Sequence, residues 1–404
     1  MVPERVLTEL DQRLAPVDAA RLAAYPGESS SRQPVHTCYV PADAVVPGLA
    51  AGWGRAALAA LDEHGLPDLR LDRALVEQLL PRVRAKLAAE PVEDLRVDAE
   101  DGYRGAADAE DGDVTAAAAV LAAEAVRPPF LGIRAKSLEE ATRRRGVRSL
   151  DLFLSGLAGS GLQRAVVTLP KVTAVEQVTA FLPVLDALED ASGLALDLEL
   201  QVETPQAVLG ADGTATLARM LHAGAGRVTG LHYGTYDYSA SLGIAAAHQA
   251  SDHPAADAAK QAMQVAVAGT GARAVDGSTN VLPVGTTAQV HSAWQLHAGL
   301  VRRALERGFY QGWDLHPAQL VTRYVATYAF FRSALPAAAG RLAGYVARVE
   351  GGVLDEPATA RALATVVLRG LDCGALDVAE VEGATDLDRA ALDALAGRRS
   401  VPTR

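Results

Sequence analysis

Apolar residues recur along this chain in short runs, and most of those runs end on a charged or amide side chain. Val35–Val40, Leu95–Glu100, Phe130–Ala135 and Ala165–Pro170 have the length and composition of strands, as do Leu196–Val202, Val228–Tyr233, Ala272–Asp276 and Gly312–His316. Segments of helical length and spacing lie between them, such as Val175–Leu188 and Ser292–Arg307. Leu75, Leu79, Leu80, Val83 and Leu87 share one helical face. Eight strands alternating with helices predict an α/β fold, a closed parallel (β/α)8 barrel of the TIM type. An open doubly wound sheet is the runner-up. It wants a glycine-rich phosphate loop after its first strand, and Val40-Pro41-Ala42-Asp43 offers none.

The pattern also suggests an organisation. Residues 1–34 read as an N-terminal helical segment closed by the loop Pro26–Ser31. Residues 35–335 read as the barrel, with a helical insertion at about 48–90, longer than a single crossover needs. Residues 336–404 read as a helical extension. Tyr324–Leu335 is apolar on one side and would suit an interface, and Pro336 is expected to break or kink that helix.

A parallel barrel gathers the C-terminal ends of its strands on one rim. Here those ends carry Asp98-Ala99-Glu100-Asp101-Gly102, Arg134, Lys171, Gln201 with Glu203, Asp237, Asp276 and His316. Polar groups at the ends of apolar strands are costly unless solvated or paired, so their recurrence points to a site. Glu203 and Asp237 follow neighbouring strands and make a hard, oxygen-rich pair suited to Mg²⁺ or Mn²⁺. Plainer roles stand beside these. Asp98, Glu100 and Asp101 could pair with Lys171 or Arg134. His316, before Pro317, could serve only helix entry, and His232 reads as a hydrogen-bonded core histidine. Gly234 and Gly243 could be turn residues.

Composition narrows the classes. Half of the 404 residues are hydrophobic, enough for a large core, and the net charge of −11 argues against a nucleic-acid partner. Arg143-Arg144-Arg145 with Arg148 is the one basic run, read as a solvated helix face or as a phosphate contact for a CoA-type substrate. Cys38 and Cys373 form neither a zinc pattern nor a disulfide framework. Glu4, Glu9, Asp11 and Arg13 are foreign to a signal peptide, and the longest apolar stretch, Val114–Val126, is too short to span a bilayer. The expectation is a cytoplasmic protein with no membrane partner.

Several of these segments resemble the citrate lyase β-subunit and HpcH/HpaI aldolase superfamily. Asp98-Ala99-Glu100-Asp101-Gly102 is similar to the Asp-Leu-Glu-Asp-Gly of the citrate lyase branch. Thr168-Leu169-Pro170-Lys171-Val172 is similar to its Leu-Pro-Lys-Val-Glu, and His316-Pro317-Ala318-Gln319 to its Ile-His-Pro-x-Gln ending. Gln201-Val202-Glu203-Thr204 resembles the Gln-Ile-Glu-Thr of pyruvate aldolases, and Tyr238–Gly243 resembles both branches. The motifs fall in register from about His36 to Gln319.

The resemblance implies Glu203 and Asp237 as ligands of Mg²⁺ (or Mn²⁺), Arg134 as the grip on a substrate oxygen, and Gln201 near the metal. Gly234 and Thr235 are candidate substrate contacts. It also implies a homo-oligomer, a trimer or hexamer. There are departures. Arg134-Ala135-Lys136 stands for the citrate lyase Arg-Val-Asn, and Tyr236-Asp237-Tyr238 for its Glu-Asp-Tyr. Asp101-Gly102-Tyr103 supplies no counterpart to the early basic histidine of the aldolases. The base is therefore left among a metal-bound water, the Asp98/Glu100/Asp101 cluster and His316, with Lys171 placed to hold the cluster ionised.

The function expected is a metal-dependent carbon–carbon lyase or aldolase. It would act on a 2-oxo acid such as pyruvate, oxaloacetate or glyoxylate through a metal-stabilised enolate, with an aldehyde or an acyl-CoA as second reactant. A citrate lyase- or malyl-CoA lyase-like enzyme, or a thioesterase, is the near alternative. A noncatalytic metal- and oxo-acid-binding subunit is the alternative of another class.

Overall fold

The computed structural model describes residues 1–106, 108–347 and 356–398. All eight expected strands form: β1 His36–Pro41, β2 Asp94–Asp98, β3 Phe130–Arg134, β4 Arg164–Leu169, β5 Ala195–Val202, β6 Val228–Tyr233, β7 Arg273–Val275 and β8 Gly312–Asp314. They lie parallel in the order β7-β6-β5-β4-β3-β2-β1-β8. The β7–β8 seam lacks a ladder, but the Asp276 amide donates to the Gln311 carbonyl across it at 2.9 Å. The result is a nearly closed (β/α)8 barrel.

The helices run in chain order. α1 (Glu4–Ala24) precedes the barrel, and α2 (Leu49–His64) and α3 (Arg73–Ala89) both fall between β1 and β2. α4 (Glu110–Ala123), α5 (Arg143–Leu157) and α6 (Val175–Ser192) follow β2, β3 and β4. The short α7 (Pro205–Val208) and α8 (Thr216–Ala223) follow β5, and α9 (Thr235–Ser241) and α10 (Pro254–Val267) follow β6. α11 (Thr287–Glu306) follows β7, and α12 (Gln319–Ala347) follows β8. α13 (Pro357–Asp372), α14 (Val378–Thr385) and α15 (Arg389–Ala396) complete the described chain.

Alternation within strands decides what faces where. In β5, Leu196, Leu198, Leu200 and Val202 are buried under the helices, while Asp197, Glu199 and Gln201 occupy the other face. That other face is the barrel interior, because Glu199 reaches Arg96 on β2, which is not a neighbouring strand, at 2.8 Å. Arg96 also pairs with Asp94, and His232 meets Glu199 at 3.0 Å while accepting from the Trp313 indole. His232 is thus a bonded core histidine. Burial alone would raise the Glu199 carboxyl; Arg96 and His232 outweigh it and hold the group well below its usual range. The barrel is filled by a charged stack rather than by layers of branched apolar residues.

Two expectations change: the apolar side of Tyr324–Leu335 packs within the chain rather than standing open as an interface, and Pro336 does not break its helix. Helix α12 runs unbroken through Pro336. Proline removes one backbone donor there, but Leu335, Ala338, Ala339 and Leu342 bury against Ala364, Val367 and Leu368 of α13 and Leu392 of α15. This second apolar cluster compensates for the missing bond. Among the described residues no helix is long and apolar enough to cross a membrane.

Candidate active site

The C-terminal rim of the barrel brings Asp98, Glu100, Asp101, Arg134, Lys171, Gln201 and Glu203 into one hydrogen-bonded network. Arg134, buried at the end of β3, donates from Nε and Nη2 to the two oxygens of Asp98 at 2.9 and 2.6 Å. Its Nη1 donates to the Gln201 side-chain oxygen at 3.2 Å. Gln201 passes the link on, donating from Nε2 to Glu203 at 2.5 Å. The guanidinium lies over the rings of Tyr39 and Trp313, 4.8 and 5.9 Å from their centres. Two aromatic faces and a bidentate carboxylate therefore fix its orientation.

Asp98 is fully engaged. Besides Arg134 it accepts from the Glu100 and Gly102 amides, each at 3.0 Å. A Cβ on Gly102 would lie 2.2 Å from Asp98 Oδ2, so only glycine fits that turn. Asp98 positions Arg134 and has no open lone pair directed at a reactant. Glu100 and Asp101 both bind the Lys171 ammonium, Asp101 at 2.7 Å. Burial raises the Glu100 carboxyl despite Arg134 and Lys171. For Asp101 partial burial alone would raise the carboxyl, but Lys171, with Arg134, outweighs it and lowers the group. The cluster therefore holds one carboxylate shifted toward protonation beside one kept ionised.

Glu203 follows β5 and is fully buried. It accepts from the Lys171 amide at 2.7 Å and from Gln201. Lys171 adopts a left-handed backbone, φ 52°, to present that amide. Burial pushes the Glu203 carboxyl up to about 8, with Asp237 and Glu100 adding to the push and Arg134 and Lys171 opposing it. Asp237 sits in the first turn of α9, four residues beyond β6, and is half-buried. Its side chain makes no hydrogen bond or ion pair among the described residues. Gly234 lets the two elements approach, since a Cβ there would lie 2.5 Å from Glu203 Cβ and 2.8 Å from its Oε2.

The donor set fits a small divalent cation. Glu203 and Asp237 repel each other, Glu203 driven to hold a proton and the Asp237 side chain without a partner among the described residues. Among the described residues no third His, Cys, Asp or Glu joins them. Mg²⁺ is commonly held by one or two carboxylates, with water and substrate completing its shell.

Other expected residues stand apart from the network. Thr235 is buried, and its hydroxyl donates to the Ser278 carbonyl at 3.2 Å. His316 Nδ1 accepts from the Ala318 amide at 3.2 Å, and burial lowers its pKa. The neutral ring thus carries its proton on Nε2, a donor rather than a base. Gln319 ties the Leu315 and His316 amides together. Asp276 pairs with buried Lys260 at 2.8 Å. Of the basic run, Arg145 and Arg148 pair with Glu110 and Asp111 of α4.

Sequence reasoning missed Tyr39 and Trp313, which stack on Arg134, and the Asp94–Arg96–Glu199 stack below it. The alternation of Asp94, Arg96 and Asp98 along β2 carries a signal for the stack.

A family model described as a domain of unknown function (DUF6986) matches residues 14–400. The chain belongs to this family. No curated protein matches the sequence. Among solved structures, this chain is similar to a citrate lyase from Burkholderia xenovorans LB400, at 20% identity and TM-score 0.58, covering 86% of this chain and 97% of that one. It is similar to Haloferax volcanii malate synthase at 16% identity and TM-score 0.52, over 74% and 76% of the two chains. It is also similar to the protein CitE of Mycobacterium tuberculosis in complex with magnesium, acetoacetate and coenzyme A, at 18% identity and TM-score 0.50, over 85% and 99%. At these identities the likeness is one of fold.

Proposed function

We propose that this protein is a Mg²⁺-dependent carbon–carbon lyase of the aldolase type, acting on a 2-oxo acid through an enolate. The observation that carries this reading is the unbroken chain Asp98–Arg134–Gln201–Glu203, which sets an oriented cation beside the Glu203 carboxyl and its repelling neighbour Asp237. Glu203 and Asp237 would hold the metal. A bound Mg²⁺ would supply Lewis-acid stabilisation of the negative charge that grows on the 2-oxo acid.

The chain's own groups do the rest. Arg134 binds the substrate carboxylate or keto oxygen with little reorganisation, because Asp98 and two rings already hold it. Gln201 keeps one Glu203 oxygen oriented, and the Lys171 amide keeps the other. Within the acidic cluster, Glu100 is the group suited to accept and return a proton, since burial raises it while Lys171 and Arg134 keep it in reach of ionisation. Lys171 is a charge partner rather than an amine nucleophile, its ammonium being held by two carboxylates that raise its pKa against the effect of burial.

The fold is shared with a protein in complex with magnesium and acetoacetate and with a malate synthase, which supports an oxo-acid substrate.

The deciding experiment is NMR detection of α-proton exchange in pyruvate and oxaloacetate, with and without Mg²⁺. Metal-dependent exchange that disappears in Glu203→Ala is the expected result. Exchange that persists in that variant removes the metal assignment, and metal binding without exchange favours a noncatalytic binding subunit.

A further inference from the structure

The opposite end of the barrel holds a polar cavity, of about 220 Å³. It opens between the segment before β1, the start of β7, the turn before β8, and the C-terminal helices. Its charged lining is Arg273, Arg369, Arg398 and a single carboxylate, Glu28. Asp372 and Asp393 offset Arg398 from behind, which leaves Glu28 as the one carboxylate beside Arg273 and Arg369.

Arg273 and Arg369 are neutralised less fully than other arginines of the chain. Arg303 and Arg332 each grip a carboxylate with two nitrogens. Arg273, by contrast, donates only to the Ser31 and Arg32 carbonyls, at 3.2 and 2.8 Å, with no acidic partner among the described residues. Arg369 donates to the Gln33 amide oxygen, stands 3.4 Å from Glu28 and lies over the Tyr310 ring at 4.3 Å. The Nε atoms of Arg369 and Arg398 are buried without a hydrogen-bond partner. Arg398 does hold Asp372 at 3.1 Å. Burial, and then the neighbouring Arg369, bring Arg273 down to about 10. Confining like charges this closely is unfavourable unless an anion joins them.

We propose that this cavity is a binding site for one small multivalent oxoanion, either a phosphate group or a di- or tricarboxylate, held by Arg273, Arg369 and Arg398. The volume equals about seven waters, enough for such an ion. Guanidinium forks match both chemistries. Two of the three arginines come from the C-terminal extension, so the ligand would tie α13 and the chain after α15 to the barrel floor. This site stands independently of the chemistry proposed for the C-terminal rim.

Calorimetric titration of the full chain with inorganic phosphate, and separately with citrate, both in EDTA, tests the proposal. Saturable binding at one ion per chain is expected, with a rise in Tm. Arg273→Gln and Arg369→Gln should each weaken it by about tenfold or more. Gln33→Glu places a carboxylate beside Arg369; it should fold normally, keep any rim activity and lose anion binding, which decides the matter should the arginine variants fail to fold. Binding of phosphate alone, or of citrate alone, identifies the ligand's chemistry. No saturable binding of either anion, or unchanged affinity in Gln33→Glu, overturns the site.

Discussion

Lys171 donates its backbone amide to Glu203 Oε1 at 2.7 Å while its side chain binds Glu100 and Asp101. One residue in a left-handed conformation thus joins the buried carboxylate pair to the acidic cluster of the second strand. The two functions separate by substitution. Lys171→Gly keeps the amide and relieves the backbone, whereas Lys171→Ala keeps the strained φ. Lys171→Gly should be more stable than Lys171→Ala by about 1 kcal/mol. Both should retain Mg²⁺ binding and shift the pH profile of proton exchange. Equal thermal stability of the two variants would contradict the left-handed backbone.

Glu203 titrates in a way that links pH to both stability and metal binding. Its carboxyl stands at about 8 in the fold against an ordinary 4.5. Between those values the native state keeps a proton that the unfolded chain has released. Its contribution to stability is therefore full below 4.5 and declines as pH rises toward about 8. In metal-free protein, the Tm advantage of Glu203→Gln over the native chain should widen across that window. Mg²⁺ requires the ionised form, so binding below about 8 should release a proton and tighten as pH rises. Calorimetry in buffers of different ionisation enthalpy reads that proton, and a pH-independent affinity would remove Glu203 as a ligand.

Gln201 touches both Arg134 and Glu203 without facing solvent. Gln201→Leu should lower Mg²⁺ affinity by about 10- to 100-fold, the usual effect of losing the partner that orients a ligand. Unchanged affinity would show that Glu203 needs no orientation from this side chain.

Gly234→Ala should fold less stably, by about 1–3 kcal/mol, because the new methyl meets Glu203 at 2.5 and 2.8 Å. Displacing Glu203 should also cost metal binding. Chemical denaturation and Mg²⁺ titration of this variant together report whether the close approach is needed.

Asp98→Asn should be among the most damaging changes at the rim, about 3–5 kcal/mol, because it removes the bidentate carboxylate of the buried Arg134 and leaves it only Glu100, at 3.5 Å. A denaturation midpoint near that of the native chain would show that Glu100, Tyr39, Trp313 and Gln201 suffice to hold the guanidinium.

Much of the barrel was legible in the chain itself. Strand spacing, the apolar outer face of β5 and the polar residues closing each run are local properties, and local properties survive in one dimension. The same holds for the identity of Glu203 and Asp237 as neighbours, because successive strands of a parallel barrel lie side by side.

Tertiary structure alone decided the roles. Asp98, Glu100 and Asp101 look alike in sequence, yet one is saturated by Arg134 and two amides, one is raised by burial, and one is exposed and ion-paired. Tyr39 and Trp313 meet Arg134 only because β1 and β8 close beside β3 across the interior. Arg273 and Arg369, 96 positions apart, share a cavity only because the last helices fold back under the barrel. Local pattern sets which face of each element is apolar. Desolvation, charge pairing and the closure of distant segments depend on what arrives opposite, and that is set by the fold.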